Sequence, residues 1–239
     1  MTGTEQKAVI VGTSLMGLMK TEPFCQARRF QVATPHGTVA FLEVSGRILL
    51  QRHGLDDYDP PHRIDHLAHF AALKQAGVRS VVALGSVGSL RRHLPPGSVV
   101  VPDDFFAPNL NPTFFADARG HVLPRFDPVL RSVLLAALSR AGLPAPVDGA
   151  VYWQTTGPRF ETAAEIRCHA PWAEIVGMTL ASECILACEL GLPYAAVAIV
   201  DNFANGIGGD PLTMDLFRSQ VADNAPLAHG ILETLLNLP

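Results

Sequence analysis

An uninterrupted apolar run, Tyr194 to Val200, is the feature that most restricts how this chain can fold. Strands without polar residues are typical of the centre of a parallel sheet, because helices cover both of its faces. Shorter apolar runs at residues 8–11 and 80–84 recur between segments with helical spacing. This alternation of strands and helices predicts a single α/β domain over residues 1–239.

A hairpin and several helices are predicted from local patterns. Residues 38–44 and 47–50 alternate as antiparallel strands do, and Ser45-Gly46 between them is typical of a tight turn. A Gly/Ser-rich segment at 85–90 is predicted to be a turn after the strand at 80–84. Strands are further predicted at 99–101 and 147–153, and helices at 64–76, 128–141, 163–169, 181–190 and from 216 to about 236.

Composition excludes two kinds of partner. The formal net charge is −4, so the chain lacks the basic footprint of a nucleic-acid-binding surface. No run reaches the roughly 18 apolar residues of a membrane span, and residues 1–7 do not read as a signal peptide. We therefore expect neither nucleic acid nor membrane as a partner.

The four cysteines form no C-x-x-C pair and predict no zinc site. Cys184 and Cys188 are one helical turn apart in an apolar segment, which indicates buried reduced thiols and a cytoplasmic protein. No metal is expected at a group of three histidines either, because the ligand spacing around them is wrong: His62, His66 and His69.

Three segments carry groups that suit an anion. The strand at 8–11 ends in residues 12–17, a Gly/Thr/Ser turn that can aim N–H groups and hydroxyls outward. The strand at 47–50 leads to Arg52, whose guanidinium can hold an oxyanion with two hydrogen bonds. The segment 85–90 is the third. Because ligands of open α/β sheets gather at one edge, we expect these segments to lie together.

The segment Thr155 to Thr162 combines turn signals with groups that suit a heterocycle. Gly157-Pro158 strongly predicts a turn, and Phe160 and Glu161 follow after one further residue, Arg159. A flat apolar ring beside a hydrogen-bond acceptor fits a heterocycle with ring N–H donors. For this pair alone, the alternative is a core phenylalanine and a glutamate that favours the first turn of a helix.

Taken in order, these segments resemble the trimeric purine nucleoside phosphorylase and methylthioadenosine phosphorylase family over nearly the whole chain. The most specific match is Gly-Pro-Arg-Phe-Glu-Thr at 157–162, and more modest matches lie at 12–15, 52–54, 85–90, 113–115 and 177–179. The resemblance implies a mixed, twisted sheet with a distorted barrel flanked by helices, assembled as a homotrimer. It implies no cofactor, with inorganic phosphate as the co-substrate of a purine nucleoside.

The resemblance also implies a role for individual residues. Met178 would lie under the ribose, Phe160 would stack near base and sugar, and Glu161 and Asn202 would read the base. His66 stands near the sugar position, and His121 would reach the 5′ pocket of a neighbouring subunit. Arg52, Glu161 and Asn202 would carry the catalysis. The phosphate-binding residues would be Thr13, Arg52, His53, Ser86 and Thr179.

The expected reaction is phosphate-dependent cleavage of an N-glycosidic bond, in which positioning and electrostatics carry the rate. Asn202 can donate to a 6-oxo group or N7 while Glu161 accepts from N1–H, a pattern that favours hypoxanthine or guanine. If Asp201 occupied that position instead, a 6-amino purine would be favoured, as in a 5′-methylthioadenosine phosphorylase. A hydrolytic nucleosidase and a non-catalytic nucleoside-binding protein are further alternatives.

The 5′ substituent stays open at this point. An apolar 5′ pocket built from Phe203, Ile207 or Leu212 would suit 5′-methylthioinosine, whereas a polar one would suit inosine or guanosine.

Overall fold

The computed structural model describes residues 6–209 and 211–239. Its strands form one mixed sheet: β1 (Lys7–Val11), β2 (Arg28–Thr34), β3 (Gly37–Val44), β4 (Arg47–Gln51), β5 (Ser80–Ser89), β6 (Val99–Val101), β7 (Asp104–Phe106), β8 (Val147–Asp148), β9 (Val151–Gln154), β10 (Ile175–Gly177) and β11 (Tyr194–Phe203). Its helices are α1 (His66–Gln75), α2 (Pro128–Arg140), α3 (Ala163–His169), α4 (Leu180–Glu189), α5 (Met214–Asp223) and α6 (Ala225–Leu236).

The centre of the sheet is parallel. Strands β4, β1, β5 and β11 pair side by side in the same direction, and β11 is buried from Tyr194 to Asn202. This confirms the α/β fold that the apolar runs predict. Antiparallel strands β2 and β3 extend the sheet beyond β4, and β10, β9 and β7 extend it beyond β5. The pairings of the described strands do not close into a ring, so the distorted barrel is open.

The predicted hairpin turn at Ser45-Gly46 is confirmed between β3 and β4. Both residues have positive φ, 51° for Ser45 and 73° for Gly46, as a tight turn that follows the twist of the strands requires.

The predicted turn at 85–90 is wrong, because β5 continues through this segment to Ser89 and pairs with β11 along it. The glycines here serve close packing. A Cβ at Gly85 would lie 2.9 Å from Cδ1 of Leu180, and one at Gly88 would lie 3.2 Å from Nδ2 of Asn202. The missing side chains therefore let α4 and the end of β11 approach the strand.

The single helix predicted from 216 to 236 is two helices, α5 and α6, which meet at Asn224. Pro226 lies in the first turn of α6, where the missing N–H costs no hydrogen bond. The strand predicted at 147–153 is also interrupted, because Gly149 has a φ of 88° between β8 and β9. The longest described helix has 13 residues, and none of those described combines the length and hydropathy of a bilayer crossing.

Candidate active site

A cavity of about 520 Å³ lies near the carboxyl ends of the central strands β1, β4, β5 and β11. This is the edge at which open α/β sheets bind ligands. The cavity is lined by nine of the residues that the sequence singles out: Thr13, Arg52, His53, Ser86, Phe160, Glu161, Met178, Thr179 and Asn202. Residues from three anion-compatible segments and from the Phe-Glu pair therefore share one pocket.

Two further predicted residues lie elsewhere. His66 begins α1 and does not line the cavity, and its Nδ1 atom is buried without a hydrogen-bond partner among the described residues. His121 is exposed on the loop that follows Ala118–Gly120, and it does not line the cavity of its own chain.

Arg52 is held by a buried carboxylate. Its Nε donates to Oε1 of Glu183 at 2.7 Å and its Nη2 donates to Oε2 at 3.2 Å, while Nη1 donates to the Leu84 carbonyl at 2.8 Å. Arg52 and Glu183 are both almost fully buried. The guanidinium carries five N–H groups, so two remain for a ligand. Arg52 is thus a pre-oriented donor whose charge is balanced by Glu183, a partner that the sequence does not reveal.

The surroundings of Arg52 fix it further. The Tyr194 hydroxyl donates to Oε2 of Glu183 at 2.7 Å, so the carboxylate has partners on both sides. Burial raises the pKa of Tyr194 well above its usual value, which keeps this hydroxyl a donor. Gly12, directly after β1, packs against the guanidinium. A Cβ at this position would collide with Nη1 of Arg52, so glycine leaves the space that the guanidinium occupies.

His53 is neutral and has a defined tautomer. Its Nδ1 lies 2.8 Å from the carbonyl oxygen of Asp59, which can only accept, so Nδ1 carries the proton. Burial lowers the pKa of His53 to about 4. Its Nε2 is therefore an acceptor at neutral pH, and the Thr13 hydroxyl, 3.3 Å away, donates to it.

The N-terminus of α4 is closed by side chains from β9. The Tyr152 hydroxyl accepts from the N–H groups of Thr179 and Leu180, and Oε1 of Gln154 accepts from those of Ala181 and Ser182. These four groups are consequently not available to an anion. The Thr179 hydroxyl makes no capping bond and lines the cavity, so it remains free to donate.

The two neighbouring polar residues at the end of β11 point to different places. A bulge between Val200 and Asn202 breaks the register with β5. The Asp201 carboxylate accepts from the Ser86 hydroxyl and from Nδ2 of Asn224, and it does not line the cavity. Asn202 lines the cavity, with one N–H donated to the Phe203 carbonyl at 2.9 Å. Its oxygen and its second N–H remain for a ligand.

Glu161 lines the same cavity. Its Oε1 accepts from the Thr155 hydroxyl at 2.6 Å, and burial raises the pKa of the carboxyl. The second oxygen is free to accept from a ring N–H.

Asn205 connects Glu161 to the segment that precedes α5. Its Nδ2 donates to the Glu161 carbonyl at 2.8 Å, and its Oδ1 accepts from the N–H of Leu212 at 2.9 Å. Asn205 and Leu212 both line the cavity. One amide side chain thus holds together the base-facing glutamate and a wall of the pocket.

Met178 is positioned by Gly157. A Cβ at Gly157 would lie 2.5 Å from the Met178 sulfur, and the φ of 63° at this position also favours glycine. The Gly-Pro turn therefore leaves room for the thioether in the cavity wall.

The structure and sequence comparisons agree on a family. The model of the phosphorylase superfamily matches residues 6–237, and the chain belongs to this family. It is 38% identical to the probable 6-oxopurine nucleoside phosphorylase of Archaeoglobus fulgidus, over 91% of this chain and 90% of that protein. It is also 38% identical to the probable S-methyl-5′-thioinosine phosphorylase of Methanothermobacter thermautotrophicus, over 79% and 69%.

Among solved structures, the methylthioadenosine phosphorylase from Schistosoma mansoni, in complex with adenine, superimposes with a TM-score of 0.80. The identity is 25%, and the match covers 98% of this chain and 92% of that one.

Four residues that organise the site are absent from the sequence-based set: Tyr152, Gln154, Glu183 and Asn205. Glu183 carried a signal, because a lone carboxylate inside the apolar segment 181–188 needs a buried partner. Tyr152 and Gln154 alternate on one face of β9, but a partner on the distant α4 leaves no local pattern.

Proposed function

We propose that this protein is a phosphate-dependent 6-oxopurine nucleoside phosphorylase. One observation supports this above the others: Arg52 and Asn202, far apart in sequence, line a single cavity with Glu161. The cavity has the size of a small-molecule site and offers separate groups for an anion and for a purine. The products would be the free base and ribose 1-phosphate, or its 5-methylthio form.

Phosphate would be held by hydrogen bonds from neutral and charge-balanced groups. Two N–H groups of Arg52 and the Thr179 hydroxyl are free to donate to phosphate oxygens. The one acceptor of the neutral His53 ring, Nε2, already accepts from the Thr13 hydroxyl, so it would accept from a protonated phosphate oxygen only if Thr13 turned its hydroxyl to the phosphate. The Ser86 hydroxyl is already donated to Asp201, so only its lone pairs and backbone remain. These groups would place a phosphate oxygen below C1′.

In the reaction, the phosphate oxygen forms a bond to C1′ while the C1′–N9 bond breaks and its electron pair goes to the purine. Asn202 would stabilise that charge by donating to N7 or the 6-oxo group, and Glu161 would accept from N1–H. Met178, a polarisable group that is not a nucleophile, would lie beside the cation-like sugar.

The base preference follows from which residue faces the cavity. Asp201 is turned towards Ser86 and Asn224, and Ala204 rather than an acid lines the wall beyond Asn202. A 6-amino purine would need a carboxylate facing the cavity at the end of β11, and Asn202 and Ala204 supply none. The site therefore favours 6-oxopurines over the 5′-methylthioadenosine alternative. The apolar side chains of Leu212, Met214 and Phe217 along the wall favour 5′-methylthioinosine beside inosine.

A substrate panel tests this function. Inosine, guanosine, adenosine and their 5′-methylthio forms would be incubated with and without phosphate, and the released base measured. We expect release of hypoxanthine and guanine only with phosphate. Release without phosphate would show a hydrolytic nucleosidase, and binding without release would show a non-catalytic protein.

We also propose a homotrimer. Val122 and Leu123, next to His121, are 38% and 86% exposed, and a neighbouring copy would cover them. Light scattering after gel filtration would give the mass, and Leu123→Asp should dissociate the assembly. We also propose a cytoplasmic location, as reduced cysteines would require.

A further inference from the structure

A second arginine lines the cavity on its outer wall. Arg218 lies in α5, four positions beyond Met214 and one beyond Phe217, and this i, i+3, i+4 spacing puts the three side chains on one face of the helix. All three line the cavity. The Arg218 side chain is 72% exposed, so it lies at the rim.

Arg218 differs from Arg52 in its partners. The guanidinium of Arg52 shares two hydrogen bonds with Glu183, which balances its charge. Among the residues that the structure describes, the carboxylate paired with Arg218 is that of Asp215, at 3.8 Å, and it is itself almost fully exposed. Among the described residues that line the cavity, Arg218 is therefore the cation whose charge is least compensated.

The place of Arg218 in the cavity follows from the groups around it. The anion-facing groups come from β1, β4 and the start of α4, and the base-facing groups are Glu161 and Asn202. The remaining lining is mostly apolar and includes Leu212, Met214 and Phe217 as well as Pro60 and the ring of Tyr58. Phe217 packs on Phe160, with ring centroids 5.6 Å apart. The lining beside Phe160 would therefore surround the ribose and its 5′ substituent, and Arg218, next to Phe217 in sequence and 72% exposed, would lie at the solvent side of it.

We propose that Arg218 forms an anion-binding subsite for the 5′ substituent, and that the site takes 6-oxopurine nucleosides with a 5′-thioether ending in a carboxylate. The apolar wall would contact the thioether stem and Arg218 the carboxylate. This proposal rests on the proposed function. The reaction is the same phosphorolysis. The C1′–N9 bond breaks, the electron pair goes to the purine, and a bond from C1′ to a phosphate oxygen forms. The 5′ substituent stays attached, unchanged, to the sugar phosphate.

The test compares two substrates of equal size, 5′-(carboxymethylthio)inosine and its neutral carboxamide. The ratio of their kcat/KM values is measured at saturating phosphate for the wild type, Arg218→Lys and Arg218→Gln. We expect a preference for the carboxylate of about fivefold in the wild type, as exposed ion pairs supply. The preference should largely persist in Arg218→Lys, vanish in Arg218→Gln, and weaken at high salt.

Two kinetic outcomes would overturn the subsite. The first is an unchanged ratio in Arg218→Gln, and a raised KM for phosphate in the same variant would then make Arg218 a phosphate residue. The second is faster turnover of inosine 5′-monophosphate than of the thioether, which would place the anion next to C5′. Calorimetric binding of the two thioethers tests the subsite separately from the proposed function. Equal affinity of the wild type for both thioethers contradicts the subsite even if neither is turned over. Absence of base release from inosine itself contradicts the proposed function.

Discussion

Glu183 and Arg52 form a buried ion pair, with Oε1 of the glutamate 2.7 Å from Nε of the arginine. The pair joins α4 to the end of β4 and determines which N–H groups of Arg52 face the cavity. A carboxylate so close to a phosphate site would repel a dianion if it were alone, but here its charge is balanced by Arg52 and it accepts from the Tyr194 hydroxyl. The ion pair therefore fixes the direction of the free N–H groups of Arg52 and leaves the anion site without a net positive charge from this residue.

Removing the charge of Glu183 should cost stability and change the response to phosphate. Glu183→Gln leaves the Arg52 guanidinium buried without a counter-charge, and we expect a loss of about 3 kcal/mol in the free energy of unfolding. Phosphate can then balance Arg52, so it should raise the melting temperature more in the variant than in the wild type. Glu233→Gln, at an exposed position in α6, is the matched control and should change neither quantity. An equal effect of phosphate on all three proteins would contradict the role of Glu183.

Asn205 should act on nucleoside binding and not on phosphate binding. Asn205→Asp keeps an acceptor for the Leu212 N–H but loses the donor to the Glu161 carbonyl. We expect the KM for inosine to rise by about tenfold, as the loss of one buried hydrogen bond predicts, with little change in the KM for phosphate. Asn237 donates to a carbonyl in the same way at the end of α6, so Asn237→Asp is the control. A parallel rise in both KM values would indicate general damage to the fold.

The base preference should reside in Asn202 and not in its neighbour. Asn202→Asp replaces the donor that faces the cavity with an acceptor, and we expect the inosine-to-adenosine ratio of kcat/KM to fall by at least about tenfold. Asp201→Asn is the control, since that side chain is bonded to Ser86 and Asn224 and should affect stability alone. If the ratio moved with Asp201→Asn and not with Asn202→Asp, our assignment of the base-reading residue would be wrong.

Stability should fall in mild acid because three histidines are held neutral. Desolvation lowers the pKa of His53 to about 4 and those of His66 and His69 to about 3, from 6.5. Between pH 6 and pH 4 the unfolded chain binds more protons, so the free energy of unfolding falls, by about 1.4 kcal/mol per pH unit for each histidine. The raised pKa values of Glu161 and Asp201 act in the opposite direction.

Urea unfolding at a series of pH values measures this slope. His69→Gln should reduce it by about a third, whereas His229→Gln, at an exposed position, should leave it unchanged. An equal slope in the wild type and in His69→Gln would contradict the neutral state of the His69 ring.

The sequence predicts the parallel core and the pocket residues well, and it fails where long-range contacts decide. The apolar run of β11 and the Gly-Pro turn are local signals, and both lie where they are expected. Residues 85–90 look like a turn because glycine has the same composition signal in a turn as in a tightly packed strand. The pairing of Arg52 with Glu183, 131 positions away, leaves no spacing that a single sequence can show.

The most direct test of the central claim follows the phosphate itself. Purified protein would be incubated with inosine and radiolabelled phosphate, and the sugar product separated from hypoxanthine. We predict that label appears in ribose 1-phosphate in a one-to-one ratio with hypoxanthine, and that Arg52→Ala sharply raises the phosphate concentration required. Hypoxanthine released together with unlabelled ribose would contradict the proposed phosphorolysis.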